Sequence, residues 1–299
     1  MILSLGLAVL AAFANAGSNV LQRRANMTEP PELNFSPKLI WALLHRRDWW
    51  AGTSLVTVSF LCQAGALGAG ELAVVQPVIV LELPITLVLA GALFRSRLGR
   101  REWGAIALLS LGVSGVIGFL SPRGGEQPSS ALVWAIGAGG TAAVIALLVA
   151  LGRARRGNLR AALFGAAGGV AFGLTAAFMK AMTTELSAGF SQVFSSWAVY
   201  AMVATGLVGM FLVQSAFHAG KLVASQPGIS LLDPFWAVAW GVLAFHEHTG
   251  HGWSVVLAAA SAVAMAVGAV VLSGSPTFQG TSGQPQPASL PSADARVGS

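Results

Sequence analysis

Residues 70–77 read Gly-Glu-Leu-Ala-Val-Val-Gln-Pro, and residues 220–227 read Gly-Lys-Leu-Val-Ala-Ser-Gln-Pro. From these stretches the chain continues in register, without a gap, at an offset of 150 residues. The further matches are Leu81 with Leu231, Pro84 with Pro234, Gly91 with Gly241, Leu93 with Leu243, Trp103 with Trp253, and Gly118 with Gly268. A doubled Gln-Pro, followed at fixed distances by Pro and Trp, is hard to obtain by chance even in an apolar chain. The sequence therefore predicts an internal duplication.

The composition is that of a membrane protein. Of the 299 residues, 55% are apolar and 9% are charged, whereas a soluble domain carries about 25% charged residues. The single cysteine, Cys62, can form no intramolecular disulfide. The net charge of +6 comes from Arg residues gathered in short loops, where orientation in a membrane explains them. We therefore expect the protein to contact membrane lipid and not nucleic acid.

Nine apolar runs are long enough to cross a hydrocarbon core about 30 Å thick as helices of about 20 residues. They are 2–22, 50–69, 72–94, 103–120, 131–151, 161–180, 194–216, 222–245 and 253–273. The first run contains Ala14-Asn15-Ala16, which resembles a signal-peptidase site, but it lacks a basic N-terminal region and has spanning length. The predicted fold is an all-α membrane bundle of nine transmembrane helices, in which the first run is retained.

The duplication also divides the chain. Residues 1–151 are predicted to form the first repeat with a linking helix, and residues 152–274 the second. Residues 275–299 consist of Gly, Ser, Pro, Gln and scattered small residues, a composition that predicts a disordered tail. Residues 34–44 contain a short apolar run, for which an interfacial helix is the first interpretation and a re-entrant segment the second. A true tenth span there would place the N-terminus in the cytoplasm.

Basic residues predict the orientation. The loops 23–49, 95–102 and 152–160 hold five, four and four Lys and Arg residues, and with nine spans these loops share one side. Lys221 and Arg296 fall on the same side, whereas Arg123 and Lys180 fall opposite. Because Lys and Arg accumulate in cytoplasmic loops, we expect a multi-pass protein of the cell membrane with its N-terminus outside and its C-terminus in the cytoplasm.

The spacing of the two copies predicts a transporter. Five spans separate each helix from its copy, an odd number, so the two repeats lie in opposite orientations in the membrane. Inverted repeats are typical of secondary transporters, in which one repeat moves against the other around a site near the midplane. The expected activity is movement of a small solute by alternating access, without enzymatic chemistry and without a cofactor.

Two repeats, each ending in a Pro-bearing helix, a short charged turn and a Gly-rich helix, resemble the drug/metabolite transporter superfamily, with its EamA-like proteins, over nearly all of residues 1–273. Residues 17–24 (Gly-Ser-Asn-Val-Leu-Gln-Arg-Arg) and 47–52 (Arg-Asp-Trp-Trp-Ala-Gly), together with nine spans, resemble the NIPA branch. That branch resemblance implies permeation of magnesium or another divalent cation. The superfamily often has Glu in the turn after the Pro-bearing helix; Glu247 matches that position, and Arg97 stands there in the first copy.

Polar side chains inside the predicted spans are costly in lipid and therefore mark candidates for a pathway. Besides Lys180, they are Asn15, Asn19, Gln63, Gln76, Glu82, Gln214, Gln226 and Asp233. Gln76 and Gln226 precede Pro77 and Pro227, which lack an N–H and leave backbone carbonyls free for a ligand. Alternatively, each Gln only satisfies its own disturbed helix.

Glu82 and Asp233 are the acids deepest in the predicted spans. As carboxylates near the midplane they could carry a proton or bind a cation, and they are the expected metal ligands if the substrate is divalent. Alternatively, each forms a hydrogen bond with a neighbouring helix. A membrane scaffold without transport is the hypothesis from another class, and the sequence leaves open a homodimer.

Two further groups are predicted to have no role at a site. Lys180 ends an apolar run, so its ammonium group is expected to extend to the membrane surface. Residues 246–251 carry His246, Glu247, His248 and His251, a spacing that suggests a metal site at first sight. Because they fall in a short loop with glycines, a solvated loop is the favoured interpretation over a zinc site.

The predicted orientation can be tested with single cysteines. Cysteines in loops 121–130 and 246–252 should react with an impermeant thiol reagent added to intact cells, because these loops are expected outside. Cysteines at positions 97 and 156 should react only after the cells are opened. Labelling of position 156 from outside, with no labelling in 246–252, would contradict the nine-span topology.

Overall fold

A computed structural model describes residues 2–27, 45–94, 98–122, 124, 130–186, 196–220 and 222–275. Within these ranges the fold is all-helical. The helices are α1 Ile2–Met27, α2 Arg47–Gly68, α3 Leu72–Ile79, α4 Glu82–Leu93, α5 Arg100–Leu120, α6 Ala131–Arg153, α7 Gly157–Leu186, α8 Trp197–Ala219, α9 Leu222–Phe245 and α10 Trp253–Ser273. Residues 34–44 and the predicted tail beyond Ser275 lie outside the described residues.

The expectation of nine spans is confirmed. The described residues include nine segments that are helical, long and apolar enough to cross a membrane. Eight of them are single helices, and the ninth is formed by α3 together with α4. Large apolar side chains on the outside of the bundle, such as Leu111, Leu207 and Phe211, are more than half exposed. In a membrane these side chains would face lipid tails.

The span formed by α3 and α4 is broken at its middle. Pro77 lies inside α3 and Pro84 lies in the first turn of α4, and the chain turns between them at Val80 and Leu81. Pro84 has no N–H to give to the carbonyl of Val80, and that carbonyl accepts a 3.1 Å hydrogen bond from the N–H of Leu83 instead. The helix that the predicted duplication aligns with this span, α9, contains Pro227 and Pro234 and remains continuous.

Helix contacts show two similar groups. α1 packs against α2, α3 and α4, and α7 packs against α8 and α9. Between the groups, α3 contacts α9 and α5 contacts α10. The largest apolar core lies around Leu72, Val75, Trp240 and Phe245, and a second core joins α4, α5 and α10 around Leu87 and Leu109. α6 packs mainly on α7.

Contacts between helix ends fix the alternation of the spans. At one end, which we call the Glu247 end, the Ser4 hydroxyl donates to the Ala66 carbonyl at 2.9 Å. Gly250 N donates to the Leu120 carbonyl at 2.8 Å at the same end. At the opposite end, which we call the Arg24 end, Arg24 forms a 3.3 Å ion pair with Asp48. These contacts show that α1 and α2 run in opposite directions and that α2, α5 and α9 end on the same side.

Glycines of α7 let α9 approach its backbone closely. A Cβ added at Gly169 would lie 2.7 Å from the Gly228 carbonyl oxygen and 3.2 Å from the Asp233 nitrogen. A Cβ added at Gly173 would lie 2.7 Å from the Asp233 carbonyl oxygen. Small residues are the usual means of bringing helices together in a membrane, where lipid removes the hydrophobic drive. The position of Asp233 is thus determined by glycines on its neighbour.

This packing predicts a difference between two glycine substitutions. Gly169→Ala should destabilise the protein by about 1–3 kcal/mol, because the added methyl meets backbone that cannot move aside. Gly139→Ala on α6 is the matched control, since nothing lies within 4 Å of its added Cβ. Helix propensity favours Ala over Gly at both positions by about 1 kcal/mol. Thermal unfolding midpoints in one detergent should fall for Gly169→Ala and stay equal or rise for Gly139→Ala; equal effects would contradict the packing.

Candidate functional site

Two half-buried carboxylic acids from different halves of the chain lie near each other in the bundle. Glu82 is the first residue of α4, immediately after the break in the span, and its carboxylate accepts a hydrogen bond from the Asn15 side chain on α1. Asp233 lies on α9, and its carboxyl group is close enough to that of Glu82 for the two to interact electrostatically. Three of the polar residues picked out in the sequence therefore lie in one region.

The acid pair has no neutralising cation in the described part of the chain. Neither Glu82 nor Asp233 forms an ion pair with a described Lys or Arg. Among the described residues, Oδ1 of Asp233 is buried and has no hydrogen-bond partner. Buried polar atoms are nearly always paired, so an unpaired carboxylate oxygen is a place where a ligand, a proton or water belongs.

Gln76 is a second unpaired group on the broken span. Its side chain is buried on α3, only 2% exposed, and its Nε2 finds no hydrogen-bond partner among the described residues. Gln226, its repeat equivalent, donates to the Ser230 hydroxyl on the same helix at 3.3 Å. Pro77 is buried, whereas Pro227 is half-buried. The two Gln-Pro pairs therefore have different surroundings.

The remaining predicted pathway residues lie away from this region. Asn19 and Gln214 are exposed on the outside of the bundle. Gln63 is half-buried on α2, and no hydrogen bond within the described residues joins it to either acid. The structure thus gathers Asn15, Glu82 and Asp233 and leaves these three side chains apart.

A second charged cluster closes the Glu247 end. The Lys180 ammonium forms a 2.6 Å ion pair with Oε1 of Glu247, and the two side chains are 7% and 0% exposed. The same carboxylate accepts hydrogen bonds from the backbone N–H of Leu72 at 2.6 Å and of Ala73 at 3.0 Å. These are the first two N–H groups of α3, which have no partner within the helix. We call this arrangement of Lys180, Glu247 and the start of α3 the Glu247 clamp.

The predictions for Lys180 and Glu247 were wrong. Lys180 does not extend to the membrane surface, because α7 continues past it to Leu186 and buries it inside the bundle. Glu247 does not lie in a solvated loop, because it turns inward onto α3. The sequence signal that could have found it is the superfamily's Glu in this turn, which the resemblance aligns with Glu247.

The local sequence explains how Glu247 turns inward. His246 adopts a left-handed conformation with φ of 55°, which ends α9 and reverses the chain. The N–H of Glu247 then donates to the Gly241 carbonyl at 3.1 Å. A Cβ at Gly241 would lie 2.9 Å from Cδ of Glu247, so the carboxylate needs a glycine there. This is one of the glycines that the duplication pairs, with Gly91.

Aromatic rings surround the clamp. The Trp134 ring stacks on Phe178 at 5.4 Å and on Trp240 at 5.0 Å between ring centroids. The Lys180 ammonium lies 4.9 Å from the centre of the Phe245 ring. A cavity of about 560 Å³ opens beside this cluster between α6, α7 and α8, with Trp197 on its wall. Aromatic packing therefore surrounds the buried ion pair of Lys180 and Glu247.

A dedicated transition-metal site is not found in the described part of the chain. No group of three or more His, Cys, Asp and Glu side chains there is arranged to hold a metal ion. The acid pair has oxygen ligands only, which suit a proton or a hard cation such as magnesium, the latter usually keeping several of its waters.

Comparison with known proteins shows a similarity that extends over most of the chain. The chain is 29% identical over 248 residues to an uncharacterized protein of Corynebacterium glutamicum, and the match covers 81% of this chain and 85% of that protein. No protein-family model matches the chain. No solved structure matches it.

The clamp predicts an order of stabilities. Glu247→Gln should be the most destabilising single change, by about 3–5 kcal/mol, because it leaves the Lys180 ammonium buried without a counter-charge. Lys180→Met should cost less, since the Glu247 carboxylate keeps two backbone donors. The double variant should be less destabilised than the sum of the singles, with a coupling of about 1–3 kcal/mol. Thermal unfolding in detergent measures all three.

The matched control is the pair at the opposite end. Arg24 and Asp48 are 51% and 39% exposed, so their ion pair should contribute less than about 1 kcal/mol. Neutralising Arg24, Asp48 or both should leave the unfolding midpoint nearly unchanged. Additive effects at Lys180 and Glu247 would show that the clamp does not act as a unit.

Proposed function

We propose that the protein is a secondary transporter of the drug/metabolite transporter type, in which Glu82 and Asp233 bind a cation during alternating access of a small solute. The observation that carries the proposal is the meeting of these two acids in the interior without a basic partner among the described residues. The cation is a coupling proton or a positively charged substrate.

The energetics of buried charge support this assignment. Two carboxylates close together in a poorly solvated site repel each other, and both cannot remain ionised at low cost. A nearby Lys or Arg side chain would permanently offset the free-energy cost of keeping a carboxylate ionised there, as Lys180 does for Glu247. At Glu82 and Asp233 the compensating charge must come from a mobile species, which is what a binding site for a transported or coupling cation requires.

The helix contacts support an inverted repeat. Exchanging the two halves replaces α1 and α2 by α7 and α8, and replaces the α3–α4 span by α9. The contacts of α1 with α2, α3 and α4 then correspond to those of α7 with α8 and α9. The contacts of α3 with α9 and of α5 with α10 join equivalent elements to each other, as expected at a two-fold axis. Such a pair of halves gives a transporter two related states, one open to each side.

The broken span supports a substrate site at the midplane. Transporters use discontinuous helices to expose polar backbone in the membrane where it lines a cavity. Here the break at Val80 and Leu81 lies between Gln76, which has an unpaired amide nitrogen, and Glu82. With the charge distribution of the loops, the Arg24 end faces the cytoplasm and the Glu247 end faces outside the cell.

Permeation of magnesium or another divalent cation is the second candidate. The specific observation that favours it is again the acid pair, because magnesium is usually held by one or two carboxylates while keeping several waters. It differs from the first candidate in needing both acids ionised and no proton gradient.

The test is transport by purified protein in liposomes. In the first candidate, Asp233→Asn should reduce gradient-driven uptake at least about tenfold and leave exchange of substrate across the membrane intact, since exchange needs no release of a proton. In the second, Glu82→Gln with Asp233→Asn should abolish magnesium uptake, and dissipating the proton gradient should have no effect. The panel of substrates is magnesium, amino acids and cationic drugs.

Asp48→Asn is the control for this experiment, because it removes an acid at the Arg24 end, outside the acid pair. It should retain wild-type uptake. Normal gradient-driven uptake by the double variant at Glu82 and Asp233 would contradict both candidates and assign the acids a structural role.

A further inference from the structure

The two ends of the bundle are closed to different degrees, and the duplication allows a direct comparison. Residues 74–78 of α3 are all buried, and α3 begins at the Glu247 end. Their repeat equivalents in α9, residues 224–228, begin at the Arg24 end and are half-buried, apart from Ser225. Half-burial continues along α9 to Asp233. The segment that begins at the Glu247 end is therefore buried, whereas its equivalent at the Arg24 end is only half-buried.

The sealed end is also the end that carries the Glu247 clamp. The clamp joins three separate elements: α7 through Lys180, the turn after α9 through Glu247, and the start of α3 through Leu72 and Ala73. α3 belongs to the first half of the chain, and the other two elements belong to the second half. The clamp is thus a polar connection between the halves, placed at the extreme end of the broken span.

The clamp has no copy at the opposite end that the duplication would supply. At the 150-residue offset, Glu247 corresponds to Arg97, a basic residue that cannot accept hydrogen bonds from a helix N-terminus. At the 159-residue offset that aligns α7 with α1, through Gly165 with Gly6 and Phe172 with Phe13, Lys180 corresponds to Leu21. Neither charge of the clamp is therefore preserved in the sequence of the first copy.

From these observations we infer that the Glu247 clamp is the outer gate of the transporter, closed in this structure while the Arg24 side of the acid pair is the more accessible one. The inference rests on the proposed function, since a gate has meaning only in a cycle of alternating access. Lys180 and Glu247 act as positioning residues: they hold α3 in place, and α3 carries Gln76 one turn further on. In the outward-open state the carboxylate of Glu247 releases the N–H groups of Leu72 and Ala73, and α3 moves away from the second half.

Release of the clamp is chemically reasonable at this position. A carboxylate at a helix N-terminus is held by partial charges and by hydrogen bonds that water can replace. As the Glu247 end opens, water would reach the clamp and solvate both the ammonium of Lys180 and the freed N–H groups. The same contact in the middle of the bundle would have no such replacement, because lipid offers no donors or acceptors.

The experiment measures access to two repeat-equivalent reporters. Val74→Cys is buried just below the clamp and Ala224→Cys is its equivalent on α9, each in a Cys62→Ala background that removes the single native cysteine. An impermeant methanethiosulfonate reagent is applied to intact cells for Val74→Cys and to inside-out vesicles for Ala224→Cys. Without further changes, Ala224→Cys should react and Val74→Cys should react slowly or not at all.

Two variants open the gate by different routes. Lys180→Met with Glu247→Gln removes both charges together and so avoids leaving one buried charge unpaired. Gly241→Ala keeps both charges and displaces the carboxylate with a methyl group, which meets the Glu247 side chain. Each should raise the outside labelling rate of Val74→Cys at least about tenfold, within the usual range of coupling between sites. Each should also lower the inside labelling rate of Ala224→Cys, because opening one end closes the other.

The control variant is Arg24→Met with Asp48→Asn, which neutralises an ion pair at the other end and should change neither rate by more than about twofold. An unchanged Val74→Cys rate in both clamp variants overturns the inference and leaves the clamp as a purely structural contact. A faster Val74→Cys rate with an equal or faster Ala224→Cys rate also overturns it, because the bundle has then loosened without reciprocal closure. Labelling needs no substrate, so failure here with intact flux in liposomes contradicts the gate alone, and absent flux contradicts the proposed function.

Discussion

A charge inside a membrane bundle requires a partner, and this requirement organises the structure. Lys180 and Glu247 satisfy it with each other and with the first N–H groups of α3, so that a cation, an anion and a helix terminus neutralise one another in one place. Glu82 and Asp233 do not satisfy it among the described residues, since Asn15 provides only a neutral hydrogen bond. One pair of charged groups is neutralised within the protein, and the other has no basic partner among the described residues.

The spans could be predicted from the sequence because a bilayer imposes length and polarity together. Apolar runs of about 20 residues gave nine helices, and the structure has nine spans. The break in one copy of the Pro-bearing helix could not be predicted, since both copies contain two prolines at the same spacing. Gly228 in α9 aligns with Val78 in the first copy. Gly228 packs closely on α7, since a Cβ added there would lie only 2.7 Å from the Ala166 nitrogen. The two copies therefore differ in the packing of their Pro-bearing helices and not in the spacing of their prolines.

The candidate site could be predicted only in part from the sequence, because tertiary packing brings its residues together. Glu82 and Asp233 stood out because acids are rare in apolar runs, but their approach depends on glycines of α7 that bring α9 inward. Lys180 was misinterpreted because hydropathy falls at a charged residue, and the end of an apolar run was mistaken for the end of a helix. In the structure α7 continues for six residues beyond Lys180. A buried lysine of this kind is recognised only when its counter-ion is known, and Glu247 lies 67 residues away in sequence.

The two charged clusters are physically linked through α3 and α4. Two half-buried carboxylates without a basic partner among the described residues contribute an unfavourable term to the free energy of folding, since they are partly desolvated. Stability must then come from contacts elsewhere on the same elements. The Glu247 clamp provides such a contact at the start of α3, and the Val80–Leu81 turn joins α3 to Glu82 at the start of α4. The glycine packing of α7 and α9 provides the corresponding contact for Asp233. Because the stabilising interactions lie at the end of the span and along its neighbour, the two acids can remain without a basic partner among the described residues.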